Sequence, residues 1–197
     1  VAEEEFYDYE PRMQFWKPVV VRGVLQRAIR LESLAINGNG TWWNDQCLDV
    51  SELATYPRLA ALSLRNILWE DGKIGDQGVV KLPAVEDFIA RHRKTLKRLK
   101  LHNCVIGISP GRTTPVCYWA DIYNRLAKAL TELVELEVEF HVDGVTIQYI
   151  YLCHHSSHMS CKTLDGTEQD GVSLGEFKAV VNNSTYSGTG ADPMPQL

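Results

Sequence analysis

The segment CHHSSHMSC gathers Cys153, His154, His155, His158 and Cys161 within nine residues. Thiolates and imidazoles are the donor types that tetrahedral zinc takes. Structural zinc sites, however, separate two ligand pairs by a folded loop, whereas these donors are all local and no Cys-x-x-Cys accompanies them. The spacing reads as a polar loop, and a metal-binding protein or hydrolase built on Cys153–Cys161 stands as the alternative reading of the chain. A second candidate follows in DGTEQDGVSLGEF, where Asp165 to Glu176 has the twelve-residue length of an EF-hand loop. Asp170 occupies the sixth position, which requires Gly, and Thr167 and Gln169 stand where ligating carboxylates belong. The stretch is read instead as a turn leading into a short helix near Phe177.

Catalytic signatures are few. There is no phosphate-cradling Gly-rich loop and no H-E-x-x-H. His92 and His102 fall in a helical and an extended pattern with no nucleophile placed beside either. No catalytic residue, metal or cofactor is therefore assigned, and the chain is read as a binding protein rather than an enzyme.

The remaining chemistry is charge. In TLKRLKLHNC, Leu96, Leu99 and Leu101 are set among Arg98, Lys100 and His102. Alternation of period two describes a strand with one buried face, which turns the basic side chains together towards solvent. The frame L-x-x-L-x-L behind this pattern occurs four times, starting at Leu31, Leu59, Leu96 and Leu133, with starts 28, 37 and 37 residues apart. Repeats of this type usually recur every ~20 to 29 residues, so helical arms or insertions must fill the difference. In-register stacking would set Arg98, Lys100 and His102 beside Glu135, Glu137 and Glu139. The second frame would add Ser63 and Arg65 and the first Asn37. The expected face thus runs from neutral through basic to acidic. It serves either to hold register between strands or as a concave partner-binding surface. In the insertion after the first frame, Trp42 and Trp43 are further binding candidates, because exposed Trp is a favoured interface anchor.

The elements needed to position this face are legible between the frames. Trp119, Ile122, Tyr123, Leu126 and Leu130 recur at helical spacing. Pro83 can open a second helix, AVEDFIARHRK, with Val85, Phe88 and Ile89 on its apolar side. A third is expected over Val19 to Ile29, weakened by Gly23. Helix and strand in alternation imply parallel strands against a layer of helices. The fold class is therefore α/β, a leucine-rich-repeat-like open solenoid, organised as a single domain over 1–181. Asp143-Gly144 lies between alternating runs and signals a tight turn. It predicts a strand over 145–152 turning back antiparallel on the last repeat, part of a C-terminal cap over 143–181. Cys104 is read as the small buried residue at the repeat's turn. The tail 182–197, rich in Ser, Thr, Gly and Pro, is expected to be flexible.

FIARHRKTLKRLKLHNCVI followed by WADIYNRLAKALTELVELEVEF resembles the divergent leucine-rich-repeat region of fungal F-box proteins, over about residues 19 to 142. The resemblance implies a protein-recognition module, the substrate-recognition part of a ubiquitin-ligase receptor. F-box proteins dock a Skp-type adaptor through an N-terminal helical motif, and the opening VAEEEFYDYEPRMQFW offers no candidate for it. Two expectations stay open: an F-box upstream of this chain, or a protein that never joined a ligase.

Composition sets the bounds. With 197 residues and 45% hydrophobic content the chain can bury one core. Its net charge of −5 opposes nonspecific nucleic-acid binding. No apolar run reaches the ~18 residues of a membrane span. Five cysteines without a disulfide framework suit a reducing compartment, so the expected setting is intracellular, cytoplasmic or nuclear.

Overall fold

A computed structural model describes residues 23–38, 50, 53–70, 73–74, 80–81, 83–108, 111–140, 148–151, 163–164 and 166–187. After a 3-10 turn at Leu25–Arg27 the elements run β1 (Ser33–Asn37), β2 (Ala61–Arg65), β3 (Leu68–Glu70), β4 (Lys73–Ile74), β5 (Val80–Lys81) and α1 (Ala84–Arg91). They continue with β6 (Arg98–His102), β7 (Val105–Ile108), α2 (Trp119–Ala129), β8 (Glu135–Glu139), β9 (Tyr149–Tyr151), β10 (Thr163–Leu164) and α3 (Glu168–Ser187).

The four leucine frames form one parallel sheet in the order β1-β2-β6-β8. Its register equates the frames residue for residue: Leu34, Leu62, Leu99 and Leu136 are partners in turn, as are Ile36, Leu64, Leu101 and Val138. Period-two alternation decides which way the strands face. The apolar side chains of β1, β2 and β6 are buried and the residues between them open outward. The three later strands of this sheet also begin in the same way. The amides of Ala60 and Ala61 donate to the Glu32 carbonyl, those of Lys97 and Arg98 to Ala60, and those of Val134 and Glu135 to Lys97.

A second sheet, which the sequence did not announce, lies one corner further along each of the later frames. Its order is β10-β9-β7-β3, with β3, β7 and β9 parallel to their neighbours and β10 antiparallel to β9. The corners into β3 and β7 turn at Asn66 and Asn103, both with left-handed backbone (φ 52° and 50°), a conformation that Asn tolerates better than most residues. Their side chains stack: Asn103 donates to the Asn66 carbonyl oxygen at 3.3 Å and Asn66 to that of Asn37 at 3.0 Å. Gly38 occupies the same corner of the first frame. A Cβ there would come within 2.1 Å of the Asn66 carbonyl oxygen, so the close stacking of the first two corners needs glycine.

Between the sheets and the helices lies one core. β7 is buried on both faces, and Trp119 of α2 packs against Trp69 (ring centroids 4.9 Å apart), Tyr123 and Phe140. α1 follows Pro83 and carries Glu86 and Asp87 in its first turn and Arg91 in its last, as the macrodipole favours. It presents Val85, Phe88 and Ile89 to the core as expected. Glu86, 2% exposed, is gripped by Arg125 of α2 through two oxygens at 2.6 and 2.9 Å, which ties the helices together.

Several expectations change. The antiparallel hairpin cap is not what forms: β9, the described part of the 145–152 strand, runs parallel to β7 in the second sheet instead of turning back on β8. Alternation identified a strand but could not choose its partner. Tyr149 and Ile150 are both buried, which suits this sheet rather than a solvent-facing return. Of the helix expected over Val19–Ile29, residues 19–22 lie outside the described residues, Gly23 and Val24 are π-helical and Leu25–Arg27 form a 3-10 turn, where the helix stops short of Ile29. The helix expected to be short near Phe177 is twenty residues long and continues to Ser187, past the point where the tail was placed. The described sheets are open, and no barrel closes among them.

Candidate partner-recognition face

The outward side of the four-stranded sheet assembles the charges selected from the sequence. Arg98 sits opposite Glu135, Lys100 opposite Glu137 and His102 opposite Glu139, while Ser63 and Arg65 of β2 neighbour Lys100 and His102, and Asn37 of β1 neighbours Arg65. The bonding is diagonal as well as across. Lys100 Nζ reaches Glu137 Oε2 at 2.5 Å and Glu135 Oε1 at 3.1 Å. His102 places Nε2 2.9 Å from Glu137 Oε1 and Nδ1 3.5 Å from Glu139 Oε2. One rung before the strands, Lys97 pairs with Glu132 at 2.7 Å.

This pattern leaves an imbalance. Because Lys100 draws both Glu135 and Glu137, Arg98 makes no ion pair although it stands directly opposite Glu135, and Arg65 makes none either, among the described residues. Both arginines are exposed. The Lys100 ammonium, hydrogen-bonded first to Glu137 and then to Glu135, is held above its ordinary pKa, and the same bond holds Glu137 below the usual carboxylate range.

His102, Glu137 and Glu139 bring one donor atom each within 4.8 Å of one another, a grouping of metal-ligand type among residues that the sequence assigns to register or to partner binding. The signal was there: two carboxylates at i and i+2 of one strand opposite a histidine of its neighbour. Lys100, bonded to the other oxygen of the same Glu137, adds a positive charge beside this grouping. The other candidate donors, Cys153 to Cys161, and the paired Trp42 and Trp43 lie outside the described residues.

The remaining titratable groups serve the scaffold. Cys104 is fully buried beneath the corner, its thiol 3.4 Å from the Leu64 carbonyl oxygen, and burial pushes it up to about 12. That agrees with its reading as the small residue of the turn. His92, the residue after α1, accepts the Tyr56 amide on Nε2 at 2.9 Å, faces the Phe88 carbonyl with Nδ1 at 2.8 Å and stacks on Tyr56. Asp170, which stands where an EF-hand loop requires Gly, proves to be a buried node. One oxygen accepts the Ala120 amide at 2.7 Å, and the other accepts the Thr167 amide at 2.7 Å and the Tyr149 hydroxyl at 2.8 Å. It thereby closes a capping box with Thr167, whose hydroxyl accepts the Asp170 amide at 3.1 Å, while also satisfying the first turn of α2.

Set against known protein families, curated proteins and solved structures, the chain matches none. No described helix is long and apolar enough to cross a membrane.

Proposed function

We propose that the chain is a protein-recognition module, built as a leucine-rich-repeat-like solenoid, whose partner lies on the outward face of β1, β2, β6 and β8. The observation that carries this reading is the charge order of that face, fixed by an unbroken four-strand register and only partly neutralised within itself. A sheet face used only for register would pair its charges rung by rung. Here Arg65 and Arg98, both exposed, are left over among the described residues and available to a partner. The sequence resemblance extends the proposal to the substrate-recognition part of an F-box ubiquitin-ligase receptor. Contact with a Skp-type adaptor would then come only through an F-box outside this chain.

The test is affinity capture from a fungal extract with identification by mass spectrometry, run in parallel on the wild type, a face variant (Arg98→Glu with Lys100→Glu) and a variant of exposed cations elsewhere (Arg93→Glu with Lys94→Glu). A protein lost by the face variant and kept by the other supports recognition through this sheet. Identical capture by all three removes the face from consideration. A Skp-type adaptor retained by a longer product of the same gene, and not by this chain, would support the F-box extension.

A further inference from the structure

The two arginines of this face that have no ion partner among the described residues are not arranged at random. Arg98 begins β6 opposite Ala61, and Arg65 ends β2 opposite His102, so they are offset by four residues along the sheet and by one strand across it. At ~3.3 Å per residue and ~4.8 Å between strands, their Cα atoms lie about 14 Å apart. Side chains at i and i+4 of an extended segment project from the same side, ~13 Å apart, close to that span. The sheet beside them is floored by small side chains: Ser33 and Ala35 on β1, Ala61 and Ser63 on β2. Among the described residues no bulky side chain of β1 or β2 stands on that part of the sheet to lift a peptide from it.

Charge selects the occupant. Lys100 is committed to Glu135 and Glu137, so the basic capacity left for a ligand is that of Arg65 and Arg98. The β8 carboxylates form a negative wall along one side. A polyanion with a charge on every unit would meet that wall, whereas a peptide with carboxylates spaced four residues apart can place them on the arginines alone. We infer that this face takes an extended acidic peptide segment, with Arg98 and Arg65 each holding one of two carboxylates four residues apart. The inference rests on the recognition reading above and gives it a partner chemistry.

The experiment is a titration of the isotope-labelled full chain, followed by nuclear magnetic resonance. The probe is a short Ser/Ala peptide carrying Glu at two positions four residues apart. Its controls are the same peptide with Gln at both positions, one with the two Glu adjacent, and oligothymidylate. The expected result is shifts concentrated at Arg65 and Arg98, with affinity about tenfold above the Gln control at low salt. Arg65→Ala and Arg98→Ala should each lower it about threefold, and the double variant should fall to the Gln level. Equal affinity for the Gln or adjacent-Glu peptides, tighter binding of oligothymidylate, or indifference to both arginines would overturn the inference. If the spaced-Glu probe fails while the face variant still loses its captured protein, the acidic-peptide inference falls and recognition by the face stands. If capture is indifferent to the face as well, both fall.

Discussion

Replacing Asp170 tests the packing of the C-terminal helix against the rest of the protein. The carboxylate is 1% exposed and accepts three hydrogen bonds, from Ala120 N, Thr167 N and the Tyr149 hydroxyl. Asp170→Ala removes all three. The Tyr149 hydroxyl can rotate, but the two amides are fixed by the first turns of α2 and α3 and lose their acceptor. An unsatisfied buried donor costs about 1–3 kcal/mol, and a negative charge at a helix N-terminus contributes about 0.3–1 kcal/mol more. The Ala120 amide is buried and the Thr167 amide partly so, which places the expected loss at about 3–5 kcal/mol. At ~2–4 °C per kcal/mol for a domain of this size, the melting temperature should fall by about 6–20 °C. Asp170→Asn keeps the shape and one acceptor oxygen and should lose about half as much. Urea unfolding followed by tryptophan fluorescence measures both variants. A loss below about 1 kcal/mol for Asp170→Ala, with an unchanged denaturant slope, would show that the node does not hold α2 and α3 together.

Other predictions follow from the face and the scaffold. Lys100→Glu should weaken partner capture and the fold together by setting a third carboxylate against Glu135 and Glu137, and adding Glu137→Lys should partly restore the fold; unchanged unfolding and capture in both variants would count against the ladder. Burial holds the His92 imidazole below its ordinary pKa, with the Phe88 carbonyl opposing and Arg91 reinforcing the shift. A histidine depressed in the folded state contributes stability that is complete above the unfolded value of ~6.5 and is lost as pH falls through the folded value. Urea midpoints should therefore drop as pH falls below ~6.5 towards the folded value, and less steeply in His92→Gln, whose side chain does not titrate there. Gly38→Ala would force its methyl group onto the Asn66 carbonyl oxygen and should cost about 1–3 kcal/mol in the same unfolding assay.

How far the sequence revealed this arrangement depended on the range of the interaction. The leucine frames carry their register in the chain itself, because a one-residue slip would turn every leucine to water. For that reason the pairing of Lys100 with Glu137 could be read from spacing alone and is what the sheet shows. The second sheet was hidden in short apolar runs such as Val105–Ile108, buried on both sides, where no alternation distinguishes strand from core helix. Asp170 shows both limits. Thr167 with Asp170 three residues on is a capping-box pattern that was available in the sequence, but Ala120, fifty residues away, is a partner that only the assembled core supplies. The diagonal choice of Lys100, which frees Arg98, also lies beyond pattern. Register fixes which backbones are neighbours and leaves the reach of a lysine among two carboxylates to local geometry.

The stacked corners carry a further consequence. Asn103 gives an amide bond to Asn66 and Asn66 gives one to Asn37, so the three side chains form a head-to-tail chain whose next link would donate to Asn103. The equivalent place after β8 is Phe140, an aromatic ring turned into the core against Trp119 at 5.3 Å. A ring can neither donate to Asn103 nor accept from a newcomer. The array therefore marks its end at one residue: the corners at Asn66 and Asn103 are like links, and Phe140 is a terminator that exchanges polar continuity for anchorage. Lengthening this protein by inserting another unit would be tolerated between the asparagine corners and not beyond Phe140.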